Sequence, residues 1–210
     1  MKPLVPLTGS ARLGAALVVL ALAASFACAK KQDAANESPA AQPTQTAAAA
    51  DAGAVVDLEV MAFLSEARSL HHQANIREDE GDLPSAVTVM TRLVTATRPH
   101  EGQKIPEVEE VLADAWARLA ELHLKRHDLD EAVKAVKAGL GYAPDATYFR
   151  GHLLEVEGVI EEARAADLAD GGKKDEAQRA RARAIELLQE AVKVQDQVIV
   201  RALGDAGKQR

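Results

Sequence analysis

GDLPSA at residues 81–86, HDLDEA at residues 127–132 and GKKDEA at residues 172–177 are three versions of one short polar segment. Each version carries at least one acidic residue and ends in alanine. The closing alanines, Ala86, Ala132 and Ala177, are 46 and 45 residues apart. A polar turn that recurs at a nearly constant interval indicates an internal repeat in which each copy is one supersecondary unit.

A long segment with apolar residues at every third or fourth position precedes each turn. This spacing places the apolar side chains on one side of an α-helix. The three stripes are Val56, Val60, Phe63, Ala67, Leu70 and Ala74; Val108, Leu112, Ala115, Leu119 and Leu122; and Phe149, Leu153, Val156, Ile160 and Ala163. A second helical segment follows each turn. Apolar residues make up 48% of the chain but aromatic residues only 3%, and this alanine-rich composition favours closely packed helices. The sequence therefore predicts an all-α fold of three antiparallel helix pairs.

The turn residues are also typical of helix ends. Gly81 and Gly172 stand where the first helix of a pair must end, a position that favours left-handed backbone. Asp128 and Glu131 have the spacing of a capping box, in which each side chain satisfies a free backbone N–H group at the start of the second helix.

The middle repeat resembles the tetratricopeptide family. Counted from Ala113, positions 4, 7, 8, 20, 27 and 32 of that family's motif are Trp116, Leu119, Ala120, Ala132, Gly139 and Pro144. The first repeat keeps Ala74, Gly81 and Ala86, and the third keeps Ala165, Gly172 and Ala177. The resemblance covers residues 54–204 and implies a short solenoid of stacked helix pairs. The repeat is about 45 residues long, against 34 in the family, which implies elongated first helices.

The resemblance further implies that a peptide or partner protein binds the concave face formed by the first helices. The residues it places on that face are Arg68, His71, Asn75, Glu78, Asp114, Ala117, Glu121 and Lys125. An ordinary solvated helix face is the alternative interpretation of the same polar residues. We expect a scaffold or adaptor, not an enzyme, and no cofactor.

The N-terminal residues have the pattern of an export signal. Lys2 and Arg12 precede an uncharged stretch whose apolar core is too short to span a bilayer. Ser25-Phe26-Ala27 fits a signal-peptidase site, and it also precedes Cys28, the only cysteine of the chain, as in a bacterial lipobox. Cleavage with lipidation of Cys28 and ordinary cleavage are both consistent with these residues. The first predicts an outer-membrane lipoprotein facing the periplasm, and the second a soluble periplasmic protein.

We therefore divide the chain into a signal peptide (1–27), a disordered tether (28–53), the helical domain (54–204) and a disordered tail (205–210). The tether is rich in Ala, Gln, Pro and Thr and lacks large apolar residues, so it cannot repay its ordering entropy by burial. The formal charge is −7 for the whole chain and −9 without the first 27 residues, which argues against a nucleic-acid partner.

Two rival functions remain at this level. His123 and His127 are four residues apart near Glu121, but Leu124 stands where the H-E-x-x-H motif of zinc proteases requires glutamate, which leaves a metal-dependent enzyme as a remote alternative. The last helix, predicted from Asp175 to about Leu203, forms the basis of the second rival, a self-associating helical bundle. It carries apolar residues along one side that would cap the stack or form a homodimer, namely Ile185, Leu188, Val192, Ile199 and Leu203.

Overall fold

The computed structural model describes residues 57–100 and 103–208, and all regular secondary structure in these two ranges is helical. The six helices are α1 (Leu58–Asp79), α2 (Leu83–Val94), α3 (Pro106–Lys125), α4 (Leu129–Tyr142), α5 (Tyr148–Asp170) and α6 (Lys174–Lys208). The predicted all-α class is confirmed for this part of the chain. The predicted signal peptide and tether, with Cys28, lie outside the described residues. No helix within the described ranges combines the length and the apolarity needed to cross a membrane.

The predicted apolar stripes form the buried sides of α1, α3 and α5. Four of the described stripe residues of α1, all five of α3 and three of α5 are buried: Phe63, Ala67, Leu70 and Ala74; Val108, Leu112, Ala115, Leu119 and Leu122; and Leu153, Val156 and Ile160. Val60, Phe149 and Ala163 are half-buried at the edges of the same stripes. The period of the sequence thus identified the core sides of all three helices.

The helices pack in the order of the chain, and the first helices also contact one another. Each of α1, α3 and α5 packs against the helix that follows it, and α2 and α4 also pack against α3 and α5. In addition, α3 contacts both α1 and α5. The helix α3 therefore lies at the centre, with four helices around it, and the three first helices share one surface.

Small residues allow this close approach. A Cβ atom added at Gly139 of α4 would lie 2.6 Å from Leu153 Cδ2 of α5 and 2.9 Å from Trp116 Cβ of α3. A Cβ atom added at Gly158 of α5 would lie 2.8 Å from Leu188 Cγ of α6. Trp116 itself packs half-buried against the core.

The three turns share one hydrogen-bond pattern. At the end of the first helices, backbone N–H groups donate across five residues, from Asp82 to Arg77 O, from Asp128 to His123 O and from Lys173 to Leu168 O, at 2.8–2.9 Å. This bond closes a Schellman motif, in which the preceding residue adopts left-handed backbone. Gly81 and Gly172 have φ of +78° and +77°, which confirms the prediction for both glycines, and the third such residue is His127 with φ of +63°.

The predicted capping box at Asp128 is wrong. The Asp128 side chain accepts no backbone hydrogen bond. Its carboxylate lies 3.2 Å from Arg126 Nε, and Glu131 pairs with Lys134 at 2.6 Å. Asp82, which has almost the same backbone angles, does accept a bond from Ser85 N at 3.1 Å. The difference therefore comes from cations that compete for the carboxylates, and not from the backbone.

The last helix also departs from expectation. It continues to Lys208, four residues into the predicted tail. The side of α6 that packs in the core is lined by four alanines and two larger residues, namely Ala177, Ala180, Ala184, Leu187, Ala191 and Val194. The predicted apolar side, by contrast, is mostly exposed.

Candidate functional site

A groove follows the shared surface of α1, α3 and α5. It consists of three cavities, which we name by their order along α3. The N-terminal cavity, about 420 Å³, is lined by Leu64, Ala67, Arg68, His71, Glu107, Glu110, Val111, Asp114 and Phe149. The central cavity, about 470 Å³, is lined by His71, Asn75, Glu78, Asp79, Asp114, Arg118, Glu121 and His152. The C-terminal cavity, about 290 Å³, is lined by Glu121, Leu124, Lys125, His152, Glu155, Val156 and Val159.

Neighbouring cavities share lining residues, so the three form one continuous first-helix groove. His71 and Asp114 border both the N-terminal and the central cavity. Glu121 and His152 border both the central and the C-terminal cavity. The groove therefore runs along most of α3, between α1 and α5.

An ion-pair network centred on Arg118 forms the floor of the central cavity. The Arg118 guanidinium donates to Asn75 Oδ1 and to Glu121 Oε2, both at 3.0 Å, and also to Glu78. Lys125 donates to the other carboxylate oxygen of Glu78. His152 Nε2 donates to Glu121 Oε1 at 3.1 Å. The network thus links α1, α3 and α5 by side chains at the middle of the groove.

The charges of this network hold its acids ionised. The hydrogen bond from Lys125 is the main reason that the pKa of Glu78 lies below its ordinary value, and Arg118 adds to the effect. Burial would raise the pKa of Glu121, but hydrogen bonds from His152 and Arg118 outweigh burial and lower it. In return, the bond to Glu121 raises the pKa of His152 against the opposite effect of burial. The carboxylates of Glu78 and Glu121 therefore stay ionised around neutral pH.

The pKa of His71 is shifted in the opposite direction from that of His152. The partial burial of His71 lowers its pKa, and the Asp114 carboxylate, 3.7 Å from His71 Nε2, offsets this effect only in part. A neutral imidazole has one donor and one acceptor nitrogen. His71 therefore offers the groove both kinds of hydrogen bond at neutral pH.

Seven residues predicted from the sequence line the groove, and one does not. His71, Asn75, Glu78, Asp114 and Glu121 meet in the central cavity. Arg68 lines the N-terminal cavity and Lys125 the C-terminal cavity.

The prediction for Ala117 is wrong, because this residue is only 1% exposed. The sequence interpretation also missed Arg118 and His152. Arg118 lies one helical turn after Asp114, so its spacing was a usable signal. His152 belongs to the third repeat, where the motif is weakest.

The groove is acidic overall and apolar at both ends. Its lining contains seven carboxylates and three permanent cations, namely Glu78, Asp79, Glu107, Glu110, Asp114, Glu121 and Glu155 against Arg68, Arg118 and Lys125. Leu64, Val111 and Phe149 line the N-terminal cavity, and Leu124, Val156 and Val159 line the C-terminal one. The arrangement suits an extended chain with apolar residues at two places and polar or basic residues between them.

The residues of the rival metal site do not come together. Glu121 faces Arg118 and His152, whereas His123 Nδ1 lies 3.8 Å from Asp128 Oδ2. His127 Nε2 lies 3.0 Å from Asp167 Oδ1 on α5. Among the residues that the structure describes, no group of three or more His, Cys, Asp or Glu side chains is placed to hold a metal ion.

No protein-family model matches the chain. No curated protein has significant sequence similarity to it.

Proposed function

We propose that the protein is a non-catalytic scaffold of the bacterial envelope, which binds an extended segment of a partner protein in the first-helix groove. The observation that carries this proposal is the continuity of the three cavities along α1, α3 and α5. A groove of this length, with apolar ends and a polar middle, fits a chain better than a compact small molecule.

The proposed architecture is a short tetratricopeptide-like solenoid of three antiparallel helix pairs. The common hydrogen-bond pattern of the three turns and the 46- and 45-residue spacing support it. The order of helix contacts supports it as well, because each first helix touches the next one. In such a stack the first helices, 20–23 residues long, provide a binding surface along their whole length.

The charge of the groove defines the chemistry of the partner. Four more carboxylates than permanent cations line it, so a segment with lysine or arginine would be attracted and an acidic segment repelled. Apolar side chains of the segment would occupy the two end cavities. We therefore propose a partner segment in which basic residues lie between two apolar anchors.

We also propose that the chain acts outside the cytoplasm. The export pattern at residues 1–27 supports this proposal, and Cys28 offers a lipid anchor to the outer membrane from the periplasmic side. Intact mass of the processed chain tests the two forms. An added acyl mass on an N-terminal Cys28 is expected for the lipoprotein, and a chain cleaved without acyl mass would make the protein soluble in the periplasm.

Charge reversal in the groove tests the binding function. Asp79 and Glu110 are exposed lining residues of the central and N-terminal cavities. The double variant Asp79→Lys/Glu110→Lys should lose partners that the wild type recovers after cross-linking in the intact envelope. The variant His71→Ala/Asn75→Ala should weaken the same partners.

The matched control reverses two carboxylates outside the groove. Glu162 and Asp170 of α5 are exposed and line none of the three cavities. The variant Glu162→Lys/Asp170→Lys changes the net charge equally and should keep the partners. If the wild type and both groove variants recover the same partners equally well, the proposed binding surface is refuted. If the control variant loses the partners as strongly as the groove variants do, the loss reflects net charge and not the groove.

A further inference from the structure

A line of exposed apolar residues runs along α6. Ile185, Val192 and Ile199 are 56%, 57% and 56% exposed, and Leu203 is 69% exposed. Their spacings of seven, seven and four residues place them on one side of the helix, over about 27 Å. We name these four residues the α6 seam. Half-exposed aliphatic side chains in such a continuous row are typical of a contact surface.

The position of the seam in the repeat explains why it is apolar. Leu140 lies eight residues after Ala132, and it packs against the cluster that contains Leu154 of the next first helix. Val94 lies eight residues after Ala86 and is buried. Ile185 is the equivalent residue after Ala177. The seam therefore begins where α2 and α4 pack against a following helix, and within the described residues no helix follows α6.

We propose that a second copy of this chain covers the seam, with the two α6 helices antiparallel and the two-fold axis at Val192. Ile185 and Ile199 lie symmetrically about this residue, because each is seven positions away from it. In that register Ile185 of one copy meets Ile199 of the second copy, and the two Val192 side chains meet each other. A patch that is complementary to itself is the requirement for a two-fold dimer interface.

The charges on α6 favour the antiparallel direction. Arg181 is exposed and lies one turn before Ile185, on the line of the seam. Parallel pairing would bring the two Arg181 side chains together, which is repulsive. Antiparallel pairing instead places Arg181 beside Leu203 of the second copy and keeps the two Arg181 side chains far apart.

The length of the seam limits the size of the contact. A contact along about 27 Å of one helix is at the small end of specific interfaces, which start at about 1,000 Å² in total. We therefore expect a reversible dimer at micromolar concentration. No residue of α6 lines the first-helix groove. A result that refutes the dimer therefore does not refute the binding function, and the reverse also holds.

Single cysteine substitutions test both the contact and its direction. Each is made in the full chain, which is expressed with its own N-terminus in a bacterial host. With the axis at Val192, oxidation should cross-link two copies of the Val192→Cys variant. Neither Ile185→Cys nor Ile199→Cys should cross-link with itself, because the two copies of each of these positions lie about 21 Å apart. Co-expression of Ile185→Cys with Ile199→Cys should give the mixed dimer. The wild type, with Cys28 as its only cysteine, measures the background, and Gln197→Cys probes an exposed position away from the seam.

Two cross-linking results would contradict the proposed antiparallel dimer. Cross-linking of Ile185→Cys alone, as strong as that of Val192→Cys, would mean parallel pairing and overturn the proposed dimer. Cross-linking of Val192→Cys no stronger than that of Gln197→Cys, or to a protein other than this chain, would remove the self-contact altogether.

Sedimentation velocity gives an independent readout. Val192→Glu brings two carboxylates to the axis and should weaken the dimer at least tenfold, whereas Gln197→Glu, about 140° round the helix, should leave it unchanged. Both residues are exposed, so circular dichroism should show the same helical content for both variants. A wild type that remains monomeric throughout the micromolar range would refute the proposal.

Discussion

The helices α3 and α6 both carry apolar residues at regular helical spacing, yet the two stripes have opposite environments. In α3 all five stripe residues are buried. In α6 the seam is exposed, and a neighbouring row of alanines, with Leu187 and Val194, is buried instead. The difference follows from the neighbours, because α3 lies among four helices and the backbone of α6 approaches that of α5 alone. A periodic stripe thus predicts a contact side of a helix without predicting what covers it.

The largest expected difference between α3 and α6 concerns leucine truncation. Leu112→Ala in α3 should lower the free energy of unfolding by about 3 kcal/mol, because it leaves a cavity in a fully packed core. Leu203→Ala on the seam should change it by less than about 0.5 kcal/mol. Urea denaturation measures the free energy of unfolding of both variants, at protein concentrations too low for the dimer to form. Similar losses for the two variants would show that the seam is covered within one chain.

The close packing around α3 can be tested at glycine. Gly139→Ala should destabilise the protein by about 1–3 kcal/mol, because the new methyl group would overlap Trp116 of α3 and Leu153 of α5. Gly141→Ala, two residues further along α4, meets no atom within 4 Å and should stabilise the helix slightly. Thermal and urea unfolding of the two variants give the comparison. A stabilising Gly139→Ala would mean that α4 lies further from α3 than described.

The turns that lead out of the first helices differ in a smaller way. Asp82→Ala removes a side-chain cap from α2 and should lower the melting temperature by about 2–4 °C. Asp128→Ala should have a smaller effect, since Asp128 caps nothing and its carboxylate contacts the side chains of Arg126 and His123 instead. Calorimetry at neutral pH is suitable for both. If Asp128→Ala costs as much as Asp82→Ala, its carboxylate caps α4 in solution.

The smallest expected effect comes from the link between α3 and α5 at His152. Its folded-state pKa is raised above the ordinary 6.5 by Glu121, so its contribution is complete below pH 6.5 and disappears as the pH rises through the folded value. The stability difference between wild type and His152→Gln should therefore be greater at about pH 5.5 than at about pH 8.5, by about 0.5 kcal/mol. Glu121 stays ionised over this range because its own pKa is lowered. A difference that does not vary with pH would indicate that the His152–Glu121 bond is absent in solution.

Local rules predicted the parts of the fold that depend on a single helix or turn. The stripe of α3 and the left-handed Gly81 and Gly172 follow from period and backbone sterics, which need no knowledge of neighbours. The cap at Asp128 was wrong because Arg126 competes for the same carboxylate, and such competition depends on side-chain positions.

The groove was predictable to a similar extent. Asp114 and Glu121 define one line on α3, and Ala117 and Arg118 lie on either side of it. Only the position of α1 and α5 decides which of these two is covered. The spacing of Arg118 from Asp114 and the polarity of its side chain were the available signals that Arg118 lines the groove. His152 could be placed there only once α5 was known to lie beside α3.

The middle turn illustrates what a side chain adds where the other two turns have glycine. His127 holds left-handed backbone at a cost of about 1 kcal/mol relative to glycine, yet its imidazole contacts Asp167 on the following first helix. Glycine at this position would relax the local backbone and would also sever the only side-chain link from any of the three Schellman positions to a neighbouring repeat. The loss would be small, because ion pairs as exposed as this one contribute at most about 1 kcal/mol. A residue that is locally unfavourable can thus recover part of its backbone cost through a contact with a helix that comes later in the chain.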